Sequence, residues 1–266
     1  MPILEYSSDM RGWDDALTAV HEDATGSEHP VDIASRSSAL RSLEHHLQDA
    51  SGQILEVGCS SGYLLPLIRQ KFPQSTLMGS DVVKIPLLKL AERTPDLPLL
   101  RFDLTRCPLP DECVDAVVML NVLEHIEDDE LALKQVHRIL KPGGILVVEV
   151  PAGPSLYDYY DRYLRHYRRY DRRSLIAVCA KVNLKALDVS HLGFWLYPAF
   201  WMVKKLNLGK PPTNDADVER LVKRQISKSS SSGLLGLAMK FETLCAERFS
   251  MTYPVGIRCM ATFRKN

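Results

Sequence analysis

Three acidic residues stand where predicted strands end, and a glycine-rich turn follows the first of them. Glu56 precedes Gly58 and Gly62 in ILEVGCSSGYLL, Asp81 ends the next apolar run, and Asp103 follows the third in RFDLT. Because ligands of open α/β sheets sit outside the carboxyl ends of the strands, we expect these residues to face one ligand. Glycines without a Cβ let the backbone turn tightly beside that ligand, so the pattern favours a nucleotide-like molecule.

The chemistry of the turn narrows the kind of ligand. A carboxylate at Glu56 would repel a pyrophosphate but suit a cationic ligand. A dinucleotide site would carry GxGxxG, and Ser60 takes the place of the second glycine; a phosphate-binding loop would need GKS or GKT, which is absent. Asp81 is placed to accept hydrogen bonds from both ribose hydroxyls, and Asp103 to accept one from an exocyclic amine such as that of adenine.

Each of these features also has a plainer interpretation. The glycine turn could be an ordinary strand-to-helix connection, because short glycine motifs occur often without a ligand. Each acid alone could be a solvated loop residue or a helix cap. Three acids at the ends of three successive strands favour the ligand site over these alternatives.

The elements that would position these residues alternate from residue 53 onward. Strands are predicted at 53–57, 76–80, 98–102, 114–119, 145–150 and 183–190, and helices at 62–72, 84–93, 129–140, 171–181 and 234–247. Runs such as VDAVVML and ILVVEV are apolar on both faces, which is typical of a parallel sheet covered by helices on both sides. We therefore predict an α/β fold with a doubly wound, mostly parallel sheet.

Composition and charge limit the class of protein. The 266 residues include 33 basic and 33 acidic ones, so no net field attracts nucleic acid. Six cysteines lack any CxxC pairing, which argues against a cysteine zinc site and a disulfide framework, and no metal site is predicted. The first residues lack the features of a signal peptide, and no run approaches about 18 apolar residues. We expect a cytoplasmic protein that is soluble or attached to a membrane surface.

Taken in order, the motifs resemble those of the class I S-adenosylmethionine-dependent methyltransferases, most closely the branch with small-molecule, quinone and lipid methyltransferases. LEVGCSSG resembles the first motif, GSDVV the second, RFDLTRCPLPDECVDAVVMLNVLEHIED the long middle segment, and ILKPGGILVVEVP the last helix-to-strand unit. The match covers roughly residues 40 to 190. It implies a Rossmann-like sheet of seven strands whose last, at 256–264, is antiparallel. It also implies S-adenosyl-L-methionine as cofactor and S-adenosyl-L-homocysteine as product.

The resemblance also implies a set of cofactor-binding residues. Glu56 and the glycine turn would shape the methionine end, Asp81 would bind the ribose, and Asp103 the adenine. Ser60 departs from the family's middle glycine, but a serine is still small, so we expect an altered turn and not a lost site. The full set is Glu56, Gly58, Cys59, Ser60, Gly62, Asp81, Val82, Asp103, Leu104, Asn121, Val122 and Leu123, of which the last three would line the floor beneath the methyl group.

Two histidines are candidates for the chemistry itself. Methyl transfer from a sulfonium is an in-line displacement in which positioning supplies most of the acceleration, and no catalytic triad is visible. If the acceptor is a hydroxyl, a general base would help, and His125 or His166 could serve. His125 could equally be a structural residue that orients the backbone.

The segment after Pro151 is dense in tyrosine and arginine, and HYRRY at 166–170 matches a segment of the related branch. We therefore predict that the substrate contacts Tyr163, His166, Arg169 and Tyr170. The arginines could bind an anion, since guanidinium forks suit phosphate or carboxylate. They could instead pair with acids on a solvated helix face, namely Asp158, Asp161 and Asp171.

The run GFWLYPAFWMVKKL also allows two interpretations. It could be a core helix of an inserted lid, or an interfacial helix whose aromatic residues grip a bilayer while Lys204 and Lys205 meet headgroups. The chain would then divide into four segments. They are an N-terminal helical lid or packing segment (1–50), an α/β cofactor-binding core (51–190), a helical insertion or cap (191–250) and a terminal strand (251–266).

These inferences predict an S-adenosylmethionine-dependent methyltransferase that acts on a small or lipid-like acceptor at oxygen. Two alternatives stay open: a non-catalytic S-adenosylmethionine-binding protein of the same fold, and a nicotinamide-dependent dehydrogenase. A nucleic-acid substrate is not predicted, because no NPPY or DPPY follows the fourth strand and the chain has no overall basic charge.

Overall fold

The computed structural model describes residues 3–6, 28–209, 217–222, 233–249 and 251–266. They build an eight-stranded sheet with helices on both faces, which confirms the predicted doubly wound α/β class. The strands are β1 (Leu4–Glu5), β2 (Gln53–Val57), β3 (Thr76–Asp81), β4 (Leu99–Arg101), β5 (Val114–Leu120), β6 (Leu140–Pro151), β7 (Leu184–Leu192) and β8 (Arg258–Lys265).

The sheet runs in the order β1-β4-β3-β2-β5-β6-β8-β7. Neighbouring strands are parallel except for β8, which pairs antiparallel with both β6 and β7. The predicted count of seven strands is wrong by one, because β1 adds a two-residue edge strand beside β4. A strand of two residues is too short to carry the alternating pattern from which strands are predicted.

Helices follow most strands, and side-chain caps fix where several of them begin. They are α1 (Pro30–His46), α2 (Leu65–Lys71), α3 (Lys84–Arg93), α4 (Asp129–Ile139), α5 (Tyr159–Tyr163), α6 (Arg172–Lys181), α7 (Tyr197–Gly209), α8 (217–222) and α9 (Gly233–Phe249). Asp128 and Asp171 cap α4 and α6 by accepting hydrogen bonds from backbone N–H groups. The first helix after the glycine turn begins at Leu65 and not at 62, because Gly62 has a φ of +72° and cannot be helical.

The core has two layers, one on each face of the sheet. Along β5, Val117 and Met119 pack under α4 and α6, whereas Ala116 and Val118 pack under α1, α2, α3 and α9. All four side chains are fully buried, because alternate residues of a strand point to opposite faces and both faces are covered. The apolar run VDAVVML therefore has the double-sided burial that the sequence predicts.

A buried ionic network joins the N-terminal helix to the sheet. Arg258 on β8 donates to Asp32 Oδ1 at 2.6 Å and to Glu149 Oε1 at 3.0 Å. Asn121, at the end of β5, donates its side-chain amide to the same Glu149 oxygen at 2.9 Å. Helix α1, strands β6 and β8, and the loop after β5 thus share one polar centre.

The segment boundaries proposed from the sequence stay predictions. Residues 1–2 and 7–27 of the N-terminal segment lie outside the described residues. Within the part of the chain that the structure describes, no helix is long and apolar enough to cross a membrane.

The ionic network yields a prediction about stability. Arg258→Leu should lower the free energy of unfolding by about 3–5 kcal/mol, because it leaves the fully buried Glu149 without its counter-charge. Urea unfolding followed by circular dichroism measures the change. The matched control is Lys181→Ala, which removes an exposed ion pair with Glu130 and should change stability by less than about 1 kcal/mol. Equal effects of the two variants would contradict the prediction.

Candidate cofactor and substrate site

The candidate site lies where the strand order reverses. Strands β3 and β4 follow β2 on one side of it, and β5 and β6 lie on its other side. Ligands of open α/β sheets bind at this switch point, outside the carboxyl ends of the strands. The turn after β2 and the loop after β5 lie side by side here, since a Cβ built on Gly58 would come within 2.3 Å of Val122 Cγ2.

Three residues of the turn have left-handed backbone conformations. Gly58 has a φ of +74°, Ser60 of +44° and Gly62 of +72°. Only glycine adopts this conformation without a steric penalty, which explains why the turn needs its glycines. Ser60 has the left-handed conformation that favours glycine, although a serine stands there.

Backbone donors orient the carboxylates that end β3 and β4. Asp81 accepts from Ser60 N at 2.8 Å and from Val83 N at 2.9 Å, so the end of β3 is tied to the glycine turn. Asp103 accepts the backbone N–H and the hydroxyl of Thr105 through one oxygen, Oδ1, both at 2.8 Å. Among the described residues, no donor forms a hydrogen bond with Asp103 Oδ2.

Glu56 is an acid that is buried beside the glycine turn. Burial removes the carboxyl from water and the nearby charge of Asp81 adds to the effect, so its pKa lies well above its usual range, although Arg36 opposes the shift. Its Oε2 has no hydrogen-bond partner among the described residues. This surrounding fits the cationic ligand that the sequence predicts at Glu56.

The predicted floor residues follow β5 directly. Asn121 has a φ of +54° and makes two hydrogen bonds to Glu149. Its backbone N–H donates to the Glu149 carbonyl, and its side-chain amide donates to Glu149 Oε1, each at 2.9 Å. Leu123 is buried and begins a short 3₁₀ turn that carries Glu124 and His125. The loop is therefore held in place by residues of the neighbouring strand.

The structure brings the two predicted catalytic histidines together. The rings of His125 and His166 meet edge to face, with centroids 4.6 Å apart. His166 Nδ1 lies 3.0 Å from Asp161 Oδ1, and burial lowers the pKa of His166 although this hydrogen bond opposes the shift. The roles of both histidines as bases stay predictions.

Sequence reasoning missed Glu124, which lies beside both histidines. The carboxyl is 1% exposed, neither oxygen has a hydrogen-bond partner among the described residues, and burial raises its pKa to about 8. In NVLEHIED this acid is indistinguishable from a solvated residue or a helix cap. The 124–125 turn contacts a segment that is distant in sequence, since Tyr167 N donates to Glu124 O at 2.8 Å.

Asp161 is the centre of the tyrosine- and arginine-rich segment. Arg169 Nε donates to its Oδ1 at 2.7 Å, and Lys204 of α7 donates to its Oδ2 at 3.1 Å. Arg169 also donates to the carbonyl of Ala152 at 2.8 Å. Arg169 therefore pairs with an acid, as one of the two interpretations from sequence expects. The pair is buried, whereas that interpretation places it on a solvated helix face.

The other predicted substrate residues take different positions. Tyr170 is buried and donates its hydroxyl to Asp129 Oδ2 at 2.7 Å, whereas Tyr163 is half-buried on α5. The assignment of these residues to the substrate stays a prediction.

Helix α7 differs in one respect from the interfacial helix, which is one of the two interpretations of this run. Lys204 is buried against Asp158 and Asp161, so the expectation that both lysines meet headgroups is wrong for Lys204. The helix and its neighbour α9 nevertheless expose many large apolar side chains. They are Trp201, Met202, Val203, Leu206 and Leu208 on α7, and Leu234, Leu237, Phe241, Leu244 and Phe249 on α9.

Comparison with known proteins gives a consistent result. Residues 55–148 match a family described as methyltransferase domain. The chain is 32% identical over 102 residues to a probable S-adenosylmethionine-dependent methyltransferase of Mycolicibacterium smegmatis, which covers 38% of this chain and 39% of that protein. It is 31% identical over 120 residues to a demethylmenaquinone methyltransferase of Thermus thermophilus, which covers 43% and 54%. The chain thus spans about half, or less, of the length of these relatives.

A solved structure shares the fold over most of the chain. The crystal structure of a putative sarcosine dimethylglycine methyltransferase from Galdieria sulphuraria superposes with a TM-score of 0.62 at 12% identity, covering 95% of this chain and 99% of that one. The family match spans β2 to β6, the strands that carry the switch-point turns. The match therefore identifies residues 55–148 as a methyltransferase domain, and the fold around them is shared with a methyltransferase structure.

Proposed function

We propose that the chain transfers a methyl group from S-adenosyl-L-methionine to a small or lipid-like acceptor, at oxygen. The observation that carries the proposal is the set of acids at the switch point: Glu56, Asp81 and Asp103 lie at or next to the carboxyl ends of three adjacent strands, beside a left-handed glycine turn. The cofactor supplies a methyl group already activated by the sulfonium, so the protein has to bind and orient the reactants.

The residues present fit this cofactor. Gly58 and Gly62 have no room for a side chain of their own, and the close approach of Gly58 to Val122 brings the two loops to one place. The ribose hydroxyls would donate to Asp81, whose carboxylate can accept about four hydrogen bonds. The adenine amine would donate to Asp103 Oδ2, the oxygen that Thr105 does not occupy.

Glu56 would act on the charge of the methionine end. A buried carboxyl without a counter-charge is stabilised in its ionised form when a cation binds nearby. The methionine end carries an ammonium and a sulfonium, whereas a nicotinamide dinucleotide would bring a pyrophosphate. The burial of Glu56 therefore supports S-adenosylmethionine over the dehydrogenase alternative.

The surroundings of the floor residues support an oxygen acceptor. His125 and His166 lie together beside the loop that holds Asn121 to Leu123. An imidazole nitrogen can take the proton that a hydroxyl loses as it becomes a nucleophile.

The apolar surface of α7 and α9 supports a lipid-like acceptor. Leu234, Leu237, Phe241 and Leu244 recur at helical spacing along α9, and each is more than half exposed. Exposed apolar stripes of this kind occur on helices that lie in a membrane interface. One relative is named for demethylmenaquinone, which is consistent with such an acceptor.

The first prediction concerns cofactor binding. The protein should bind S-adenosylmethionine in calorimetric titration, and Asp81→Ala should weaken binding more than about tenfold, because hydrogen bonds to a charged group contribute about 1.5–3 kcal/mol. Asp111→Ala, which removes an exposed acid, is the matched control and should bind like the wild type. Binding of NAD in place of S-adenosylmethionine would refute the proposal.

The second prediction concerns pH. Because Glu56 has a raised pKa in the free protein and a cation would lower it, cofactor affinity should rise with pH between the pKa values of the bound and free forms. The rise is at most about tenfold per pH unit for one proton. Titration at a series of pH values checks this, and Glu56→Gln should flatten the profile. An affinity that falls with rising pH would contradict the assigned role.

The third prediction concerns the acceptor. The protein is incubated with carbon-13-methyl S-adenosylmethionine and either a lipid extract or a water-soluble extract. The label should enter the lipid fraction, and its chemical shift should identify an O-methyl group. Phe241→Ser with Leu237→Ser should reduce labelling of acceptor in phosphatidylcholine vesicles while leaving cofactor binding unchanged. Labelling of water-soluble compounds alone would exclude the lipid-like acceptor. No labelling in either fraction, despite cofactor binding, would favour a non-catalytic binding protein.

A further inference from the structure

One carboxylate and two imidazoles form a cluster beside the floor of the proposed cofactor site. Glu124, His125 and His166 each offer one ligand atom, and the three atoms all lie within 4.8 Å of one another. Two histidines and one carboxylate are a donor set that suits Zn²⁺, Fe²⁺ and Co²⁺. We propose that these three residues bind a divalent transition-metal ion, and that the ion holds the acceptor oxygen.

The state of Glu124 is an independent observation that points to a ligand. Its side chain is 1% exposed, and neither carboxylate oxygen has a hydrogen-bond partner among the described residues. Buried polar groups in proteins are nearly always paired, because an unpaired one loses its hydration without compensation. A cation between Glu124 and the two rings would supply the missing partner.

His166 is oriented as metal ligands commonly are. Its Nδ1 is engaged by Asp161 Oδ1 at 3.0 Å, which leaves Nε2 as the nitrogen for an ion. A carboxylate that holds the second nitrogen fixes the ring and raises its basicity, and metal-binding histidines usually have such a partner. Asp161 is in turn held by Arg169 and Lys204, so the ring is positioned before any ion binds.

The charge balance around the cluster favours a cation. The buried acids near it are Glu124, Glu149, Asp158 and Asp161, and the cationic side chains are Arg169, Lys204 and Arg258. Four carboxylates against three cationic side chains leave one excess negative charge when all are ionised and the histidines are neutral. A bound divalent ion would offset that excess.

The place of the cluster gives the ion a role in the proposed reaction. His125 follows Val122 by three residues, and Val122 lies against the glycine turn. Three protein ligands leave an open position on the metal, and an acceptor hydroxyl bound there would have a lowered pKa. The hydroxyl proton would pass to water, the oxygen would attack the methyl carbon, and the carbon–sulfur bond would break with its electron pair passing to sulfur.

This last role rests on the proposed function, whereas metal binding does not. The inference also changes the assignment of the two histidines, from general bases to ligands. The sequence predicts no metal site, because its cysteines lack the spacing of metal ligands and the third ligand is an acid with no visible motif.

Cobalt binding tests the proposal directly. After dialysis against a chelator, the protein is titrated with CoCl₂, and visible d–d absorption reports coordinated ion. We expect about one ion per chain, without the sulfur charge-transfer band that a cysteine ligand would give. Glu124→Gln and His166→Asn should each weaken binding more than about tenfold.

A second group of side chains provides the matched control. His45, His46 and Asp188 also lie within ligating distance of one another, but they are exposed or half-buried. His46→Ala should therefore leave the tight signal unchanged. Wild-type affinity in Glu124→Gln, or loss of the signal in His46→Ala alone, would overturn the proposal.

Calorimetry with S-adenosylmethionine on the same variants separates the two proposals. Unchanged cofactor binding in Glu124→Gln shows that the variant is folded and that its loss of cobalt is local. Cobalt binding without cofactor binding in the wild type would refute the proposed function but not the metal site.

Discussion

Arg258 joins parts of the chain that are far apart in sequence, and the candidate site depends on that junction. Its guanidinium bridges Asp32 on α1 and Glu149 on β6, and the same Glu149 oxygen fixes the side chain of Asn121. A planar guanidinium with five donors can satisfy two carboxylates at once, which a lysine could not do with the same geometry. The floor loop is therefore positioned by an ion pair that itself contacts no proposed ligand.

A second buried charge cluster, around Asp161, holds the tyrosine- and arginine-rich segment in the same way. Asp161 forms hydrogen bonds with Arg169 and His166 of its own segment and with Lys204 of α7. Breaking either cluster by removing one partner leaves a buried charge uncompensated, which costs more than losing an exposed ion pair. The loop after β5 and the tyrosine- and arginine-rich segment are thus each held by a polar centre.

Much of the fold could be predicted because its signals are local. The apolar runs of β2, β5 and β6 and the acids that end β2, β3 and β4 follow directly from the sequence. Glu124, Asp161 and Lys204 could not be assigned in this way, because their burial arises from contacts between segments about 40 positions apart. A charged residue in an amphipathic stretch is normally solvated, so no pattern distinguishes the exceptions.

The position of β8 has a consequence for how the chain reaches its native state. This strand lies inside the sheet between β6 and β7, and Arg258 meets a partner 109 positions earlier. Until β8 arrives, β6 and β7 each present an unpaired backbone edge, and long-range pairing of this kind is slow. Strands β2 to β6 can therefore pair early while the sheet stays open between β6 and β7, and unpaired strand edges favour aggregation until β8 inserts.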